Sequence, residues 1–426
     1  MRIIHSSDWH LGLSLGALAL GEEHDLFLDW LFGVLDAHAV DALVIAGDVF
    51  DTANPSADAM RRYYGLLARI AGTGVRQVII VGGNHDGASR LEAPADVLRA
   101  LAVHVVGGID GVDDALARCV IPLWRRGAAA DHPPAAVCLA VPYVHEFRLG
   151  VRTTEPERSA MQSSMMSAFT GLYARLCDRA AELFPGVPIV ATGHLTLGGA
   201  SAADYPEGIH QVGMIDALPD TVVDSRIQYL ALGHIHRSYP RAGGRAWYSG
   251  TPVATSFTEG AARQVLRVDL APGAPAVVSP IEVPRARALV QLDGTVDEVC
   301  AHVRALRWSE RLPPALKLTV RVDGAVGNEG ERIEEALSAC GELRPVVALR
   351  EFKAPAPADG AELAIPLPES LAAMSAEDVL RDLCARRGVA DVDSLVAVFA
   401  LATGLAEIEN DDARRGIVER FLEVVS

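Results

Sequence analysis

The sequence predicts an α/β fold class for residues 1–275, with a parallel sheet whose faces are covered by helices. Short apolar runs alternate with segments that repeat apolar residues at helical spacing, and strand–helix–strand alternation is typical of parallel sheets. Polar residues follow the apolar runs, as expected where ligands gather at the carboxyl ends of parallel strands. A hydrophobic content of 50% in 426 residues is enough for a sizeable core.

The first part of this region supplies three strands and two helices. The runs RIIHSSD, ALVIAGD and VRQVIIVGGNHD predict the strands in chain order. Residues 23–38 carry Phe27, Leu31 and Leu35 one helical turn apart, which predicts an amphipathic helix between the first two strands. A second helix is expected over residues 56–71, before the third strand.

The remainder of the region adds a long helix and more strands. Residues 157–184 predict the helix, and the runs PIVATGHLTLGG and IQYLALGHIHRS predict a fourth and a fifth strand. The segment from WYSGTPVATSF to VLRVDL is expected to add antiparallel strands.

The composition changes to Ala, Pro and Val near residues 272–284, where we place a domain boundary. Residues 285–353 then alternate strand, helix, strand, helix and strand, which predicts a small α+β domain. Residues 354–370 are rich in proline and predict a linker. Residues 371–426 predict a helical region, in which SAEDVLRDLCARR opens with a capping box formed by Ser375 and Asp378.

Charge and composition exclude several classes of protein. A net charge of −17 disfavours broad, nonspecific binding to nucleic acid, which requires Lys and Arg against phosphates. The six cysteines are scattered without a CxxC pair, so neither a disulfide framework nor a zinc ribbon is expected. No apolar run approaches the ~18 residues of a membrane span, and the start of the chain lacks a signal-peptide pattern. We therefore expect a soluble, cytoplasmic protein.

The polar residues at the predicted strand ends form a set suited to metal binding. They comprise two carboxylates, one amide and four imidazoles: Asp8, His10, Asp48, Asn84, His194, His234 and His236. Oxygen and imidazole ligands without thiolates suit divalent ions such as Mn, Mg, Fe or Zn. Seven ligands are too many for one tetrahedral ion and suit two ions about 3.5–4 Å apart with a bridging carboxylate. Asp48, on the middle strand, is the expected bridge.

Each motif taken alone is weak evidence for a metal site. A single DxH or GH is more often an ordinary turn, and His194 alone is read as a core histidine bonded to the backbone. The combination is specific, because DxH, GDxxD, GNHD, GH and GHxH occur in that order and each follows an apolar strand.

This order of five motifs resembles the calcineurin-like metallophosphoesterase superfamily. The strings MRIIHSSDWHLG, VDALVIAGDVFDT, ATGHLTLGGASAAD and YLALGHIHR further resemble SbcD, the family of nuclease subunits of bacterial SbcCD complexes. That family is related to the nucleases that process DNA double-strand breaks in archaea and eukaryotes. The resemblance implies a β-sandwich flanked by helices, a capping domain at 285–353 and partner-binding helices at 371–426.

The resemblance also implies a role for each site residue. Asp8, His10 and His236 would bind one ion, Asn84, His194 and His234 the other, and Asp48 would bridge them. His85 would be the catalytic histidine, oriented by Asp51, and Asp86 would support the ligands from behind. The ions implied are two Mn²⁺, with Mg²⁺ as the alternative.

The activity implied is ATP-regulated cleavage of DNA in repair, replication and recombination. It combines a 3′ to 5′ exonuclease on duplex ends with an endonuclease on hairpins or single strands. The implied partners are an SbcC-like coiled-coil ATPase and a second copy of the chain, within a heterotetramer, and residues 56–70 and 90–101 are possible dimer surfaces. No Walker A motif occurs, so ATP hydrolysis would come from the partner.

Two other interpretations compete with a nuclease. A phosphatase or phosphodiesterase acting on small molecules or phosphoproteins would use the same metal site, but the domains after residue 285 argue against it. A tethering protein that uses metals only to hold its fold would have no need of His85. Manganese-dependent degradation of linear duplex DNA distinguishes these alternatives.

Overall fold

The computed structural model describes residues 1–353 except 130, 152–157, 199–216, 259–261, 323–326 and 342–343, together with residue 392. The chain divides into two compact units, Met1–Ala354 and Pro355–Ser426. The linker predicted at 354–370 and, apart from residue 392, the helices predicted at 371–426 lie outside the described residues. The domain boundaries near residues 275 and 285 both fall inside the first unit and remain predictions.

The first unit consists of strands and helices that alternate through most of its length. Its strands are β1 Arg2–Ser6, β2 Ser14–Leu15, β3 Leu18–Ala19, β4 Ala42–Ala46, β5 Gln77–Val81, β6 Val103–Val106, β7 Val120–Leu123, β8 Ala136–Leu139, β9 Ile189–His194, β10 Ile227–Gly233, β11 Tyr239–Arg241, β12 Ala246–Tyr248, β13 Gln264–Asp269, β14 Val277–Glu282, β15 Leu289–Thr295, β16 Ala315–Arg321 and β17 Val346–Lys353. Its α-helices are α1 Gly21–Ala37, α2 Ala57–Ile70, α3 Ala88–Glu92, α4 Ala95–Arg99, α5 Val112–Arg118, α6 Arg158–Leu183, α7 Val296–Ala305 and α8 Glu329–Ser338.

Two six-stranded sheets form the β-sandwich of the first unit. Their strand orders are β14-β13-β1-β4-β5-β6 and β11-β12-β10-β9-β8-β7. In each sheet four neighbouring strands run parallel, β1-β4-β5-β6 in one and β12-β10-β9-β8 in the other. Antiparallel strands complete the edges. The predicted fold class is therefore confirmed.

The central strands are apolar throughout because both of their faces are covered. On β1, Ile3 belongs to the core between the two sheets, whereas Ile4 packs in a second core beneath α1 and α2. Alternate side chains of a strand point to opposite faces, so a strand buried on both sides reads as a continuous apolar run. The amphipathic helices α1 and α2 contribute Phe27, Leu31 and Tyr63 to the second core.

The strands after β10 differ in part from the prediction. Strands β13 and β14 are antiparallel, as expected, but β12 runs parallel to β10 and antiparallel only to β11. The hairpin of β11 and β12 reverses the chain after β10, so β12 returns to the direction of β10 and pairs beside it. Strand β14, Val277–Glu282, extends the first sheet beyond residue 275.

Residues 289–353 form a third sheet of three strands in the order β15-β16-β17. All three strands are parallel, so this part is a βαβαβ arrangement and the predicted α+β class is wrong in this detail. Helix α7 begins with a capping box in which Thr295 and Glu298 satisfy each other's backbone N–H groups. The crossover helices α7 and α8 join successive strands, as parallel pairing requires.

Polar contacts join this small sheet to the sandwich. The buried Arg287 forms an ion pair with the buried Glu23 of α1, and the Gln291 side chain donates a hydrogen bond of 3.0 Å to the Phe257 carbonyl. A cavity of about 650 Å³ lies at this junction, between α1, the loop after Pro252 and residues 282–291. None of the seven predicted metal ligands lines it.

Candidate metal centre

The carboxyl ends of five parallel strands deliver the predicted ligands to one edge of the sandwich. Asp8 follows β1, Asp48 follows β4 and Asn84 follows β5 in the first sheet, whereas His194 ends β9 and His234 follows β10 in the second. Four ligands adopt left-handed backbone conformations, with φ of 53° at Asp8, 46° at His10, 49° at Asp48 and 90° at His234. Such conformations are costly in non-glycine residues and cluster at functional sites.

Glycines before the ligands allow the strand ends to approach one another. A Cβ atom on Gly83 would lie 2.1 Å from the Asp48 Oδ1 atom, and one on Gly47 would lie 2.2 Å from the His194 Nδ1 atom. Gly47 also has a φ of 92°. Glycine is therefore required for steric reasons at the first position of the GD and GN dipeptides, because a side chain at Gly47 or Gly83 would push the predicted ligands apart.

Asp8, His10 and His236 form the first group of predicted ligands. Their donor atoms lie within 4.8 Å of one another. The Nε2 atoms of His10 and His236 face each other at 3.1 Å. On the far side of each ring, the His236 Nδ1 atom lies 2.9 Å from the Thr255 hydroxyl and the His10 Nδ1 atom lies 3.5 Å from the Asp51 carboxylate.

Asp48, Asn84, His194 and His234 form the second group. The Asn84 Oδ1 atom lies 3.0 Å from both His194 Nε2 and His234 Nδ1. The Asp48 Oδ2 atom lies 3.2 Å from His194 Nε2 and 3.8 Å from His10 Nε2, so one carboxylate contacts both groups.

The hydrogen bonds of the rings leave electron pairs directed into the site. The His194 Nδ1–H group donates to the Ala46 carbonyl at 2.9 Å, so in neutral His194 the Nε2 atom is an acceptor. It faces two further acceptors, on Asp48 and Asn84, and such a set of electron pairs repels itself unless a positive charge lies among them. Orientation of an imidazole by a bond to its other nitrogen is typical of metal ligands. The donor set therefore fits divalent cations.

His85 lies beside both groups but is held differently. Its backbone N–H donates to the Asp48 Oδ1 atom at 2.9 Å, and its ring Nδ1–H donates to the Asp51 carbonyl at 2.8 Å. The ring packs edge-on against His10 with centroids 4.9 Å apart. The contact from Asp51 to His85 is thus made by a backbone oxygen, while the Asp51 carboxylate faces His10.

Asp86 lies behind the ligands and braces two loops. Its carboxylate accepts backbone N–H groups from Val49 at 3.1 Å, Phe50 at 2.9 Å and Gly83 at 2.9 Å. Val49 and Phe50 follow the Asp48 ligand, and Gly83 precedes the Asn84 ligand. Asp86 therefore fixes the backbone on either side of the site, next to Asp48 and next to Asn84. Burial raises the pKa of Asp86 to about 6, and the nearby Asp48 charge adds to the shift.

Comparison with known proteins agrees with this geometry. The family model described as calcineurin-like phosphoesterase matches residues 1–119. The chain is 36% identical over 351 residues to the SbcD subunit of the SbcCD nuclease from Rhodobacter capsulatus, with 80% of this chain and 85% of the relative covered. The chain belongs to the SbcD family. The protein of the same name from Escherichia coli K12 is 30% identical, with 82% and 84% covered, and that from Bacillus subtilis 168 is 31% identical, with 64% and 67% covered.

The centre contains buried groups of opposite charge. Burial raises the pKa of Asp8 and lowers the pKa of His234 to about 3. Burial acts against the charged forms of Asp48 and His194 as well, but their mutual attraction outweighs it. The pKa of Asp48 is therefore lowered, and that of His194 is raised to about 9. A proton on His194 compensates the buried carboxylate where a cation would otherwise do so.

Binding of manganese at pH 7 is therefore expected to release protons. His194, with its pKa near 9, is protonated at that pH, and a cation competes with the proton for the same electron pair. Affinity should fall as the pH is lowered from about 8 to about 6, because His194 stays protonated over this range and the concentration of protons that compete with the cation rises. Titration calorimetry in two buffers of different ionisation enthalpy measures the release. Equal binding enthalpies in the two buffers would contradict it.

Sequence reasoning missed several residues that touch the ligands. The Ser7 hydroxyl contacts the Asp8 carboxylate and lies 2.7 Å from the Ser249 hydroxyl, and Thr255 holds His236. Ser7 is adjacent to Asp8, so the string SSD carried a signal. Ser249 and Thr255 lie in the loop after β12, where no periodicity relates them to the strand ends.

Among the described residues, no helix combines the length and the apolar character that crossing a membrane requires.

Proposed function

We propose that this chain is the metal-dependent nuclease component of an SbcCD-like complex, a hydrolase of DNA phosphodiester bonds. The observation that carries the proposal is the convergence of the seven proposed ligand side chains from five strand ends, with His85 beside them. The relatives at 30–36% identity carry the name of such a nuclease component. A site built only to hold the fold would not need a half-buried histidine at its rim.

Asp8, His10 and His236 would hold one divalent ion, and Asn84, His194 and His234 the other. Asp48 would bridge them, which the contacts of its carboxylate with both His10 and His194 support. Mn²⁺ is the proposed metal, with Mg²⁺ as the alternative, because both accept oxygen ligands. The four imidazoles favour Mn²⁺, since Mg²⁺ prefers waters and carboxylates.

The roles of the chain's own groups follow from their contacts. Bound cations would supply positive charge against the phosphate oxygens and lower the pKa of an attacking water. The Asp51 carbonyl fixes the Nδ1–H group of His85 and so directs its Nε2 atom away from that carbonyl. A protonated His85 would then donate to a phosphate oxygen or to the leaving oxygen. Asp51 would orient His85 through its backbone and His10 through its carboxylate.

The finer activities are part of the same proposal. The chain would act as a 3′ to 5′ exonuclease on duplex ends and as an endonuclease on hairpins or single strands. Residues 285–353 would help to position the duplex, and residues 371–426 would dock onto an SbcC-like coiled-coil ATPase, whose ATP cycle would gate access. The cytoplasm is the expected location.

Several arginines form ion pairs with aspartates of the same chain, which supports the proposal that DNA binding requires a partner protein. Arg62 forms an ion pair with Asp25 at 2.7 Å, Arg61 is paired with Asp58, and Arg241 lies 3.0 Å from Asp220. Arg61 and Arg62 are adjacent in the sequence, and Arg241 lies between Arg237 and Arg245, yet the chain's own carboxylates offset the charge of these three arginines. Because the net charge is also −17, the chain alone should attract a polyanion such as DNA only weakly. Bound cations and a partner protein would supply much of the attraction.

A homodimer through α2 and residues 90–101 is also proposed. Large apolar side chains on these segments are exposed: Tyr64 by 36%, Val97 by 72% and Leu101 by 46%. A surface patch of exposed apolar side chains is typical of protein–protein contact surfaces.

The test is manganese-dependent cleavage of end-labelled linear duplex by the full chain, with and without an SbcC-like partner. We expect shortened strands that depend on Mn²⁺, with cleavage of the duplex increased by partner and ATP. Hydrolysis of small phosphoesters alone, with no cleavage of DNA under either condition, would support the phosphatase interpretation and reject the nuclease.

A further inference from the structure

A row of aromatic rings leads from the metal centre to the surface. Strand β8 is parallel to β9, so the segment after β8 leaves the sheet at the same edge as His194. Tyr143 packs edge-on against His194 with ring centroids 6.3 Å apart, and His145 packs edge-on against Tyr143 at 4.9 Å. Phe147 stacks on His145 with centroids 5.5 Å apart and planes inclined by 20°. We call Tyr143, His145 and Phe147 the aromatic row.

The base of the row is fixed to the metal centre, whereas its tip is exposed. The Tyr143 N–H donates to the Gly82 carbonyl at 2.8 Å, two residues before the Asn84 ligand. The buried Thr192 hydroxyl donates to the Val141 carbonyl at 2.8 Å. In contrast, His145 is exposed and 59% of the Phe147 surface is accessible to solvent. The aromatic row therefore differs from a cluster of aromatic residues in a hydrophobic core, in which the largest rings are buried.

An arginine that is paired with a carboxylate lies beside the tip of the row. The Arg148 guanidinium carbon lies 5.1 Å from the centroid of the Phe147 ring, and Arg148 also pairs with Asp110, which offsets its charge. The rings, rather than the arginine, therefore carry the contact that we infer. Exposed, stacked rings suit a ligand with flat aromatic groups, and the bases of a single strand stack on aromatic side chains.

We propose that the aromatic row is a stacking platform for unpaired bases of the DNA strand whose phosphodiester lies at the metal centre. This inference rests on the proposed nuclease function and adds to it a preference for an unpaired strand at the site. In a paired duplex the faces of the bases are occupied by their neighbours, so only bases that have left the stack present a face to the row. The row would hold such a strand in register with the ligands.

The expected effect is large enough to measure. Stacking of one base on an aromatic side chain is worth ~1–3 kcal/mol, which corresponds to roughly 5- to 160-fold in affinity. Phe147→Ala in the full chain with Mn²⁺ should therefore lower kcat/KM for a single-stranded oligonucleotide by roughly tenfold. Phe147→Trp, which keeps a stacking ring, should restore cleavage.

Strands that carry a single abasic residue at successive positions separate stacking from a structural effect. With wild-type protein, one position of the abasic residue should lower cleavage by roughly the same factor as Phe147→Ala. With Phe147→Ala that position should no longer differ from the others, since the contact is already lost. Val277→Ala is the matched control, because Val277 is exposed at the opposite end of the first sheet, beside the partners of Arg2.

The outcomes distinguish this inference from the proposed function. Phe147→Ala could instead lower cleavage, relative to wild type, by the same factor for the intact strand and for the strand with the abasic residue at the sensitive position. If wild-type protein still cleaved both strands, that result would overturn the stacking platform and leave the nuclease function in place. Wild-type protein that binds Mn²⁺ but cleaves none of the strands would overturn the nuclease. A loss in Phe147→Ala that Phe147→Trp fails to restore would also overturn the platform.

Discussion

Asp48→Ala is expected to abolish cleavage and to lower the number of bound Mn²⁺ ions below two. The Asp48 carboxylate contacts His10 of the first group and His194 of the second, and it also accepts the His85 backbone N–H. Its removal takes the shared negative charge from both ion positions at once. Loss of about 4 kcal/mol of electrostatic stabilisation in the transition state corresponds to about 10³-fold in rate.

Two control variants make the Asp48 experiment specific. Asp48→Asn keeps the size and one acceptor oxygen but removes the charge, so it should retain the fold while losing metal. Asp131→Ala removes a carboxylate that is 90% exposed and should leave both metal content and cleavage unchanged. Metal content is measured by elemental analysis after equilibrium dialysis, alongside cleavage of labelled DNA. An Asp48→Ala protein that binds two ions and cleaves at the wild-type rate would exclude a bridging role.

His85→Ala is expected to lower kcat by roughly 10²–10⁴-fold while leaving two ions bound. His85 touches Asp48 only through its backbone N–H, which alanine keeps, so the ligand groups should remain in place. What the variant loses is the ring, and with it proton donation or charge stabilisation at the reacting phosphate. Single-turnover cleavage at saturating Mn²⁺ measures the chemical step directly.

Variants of Asp51 and His132 separate the contributions around His85. Asp51→Asn keeps the carbonyl that bonds the His85 ring, so it should act mainly through His10 and lower the affinity for metal rather than kcat. His132→Ala removes an exposed ring that precedes β8 at the opposite end of the sheet and should have no effect. If His85→Ala lost its metal ions as fully as Asp48→Ala, His85 would act as a ligand.

The meeting of the proposed ligands at one edge of the sandwich could be predicted from the sequence, because local rules place them. A ligand directly after a buried strand must lie at the edge of the sheet, so the strings ending in Asp8, Asp48 and Asn84 bring these residues together without knowledge of the loops. Helix bounds were also predictable: residues 56–71 were expected, and Ala57–Ile70 is observed with Ser56 as its N-cap. The helix prediction depends on periodicity, whereas the ligand prediction depends on continuous apolar runs that end in polar residues.

Features that depend on long-range packing were not predictable. The direction of β12 is set by a hairpin with β11, whose three residues carry little apolar signal. Asp51 was expected to orient His85, but no sequence pattern distinguishes its carbonyl from its carboxylate. In contrast, the parallel pairing of β15, β16 and β17 could have been predicted, because residues 285–353 have the same strand–helix–strand order that predicts the parallel strands of the sandwich.

We propose that the Asp48 carboxylate joins two cation sites at the strand ends. Crystals of the full chain soaked in Mn²⁺ and recorded at the manganese absorption edge would locate the ions by anomalous diffraction. We expect two anomalous peaks, both in contact with the Asp48 side chain, one beside His10 and His236 and the other beside His194 and His234. A single peak at saturating Mn²⁺, or two peaks that do not share Asp48, would contradict it.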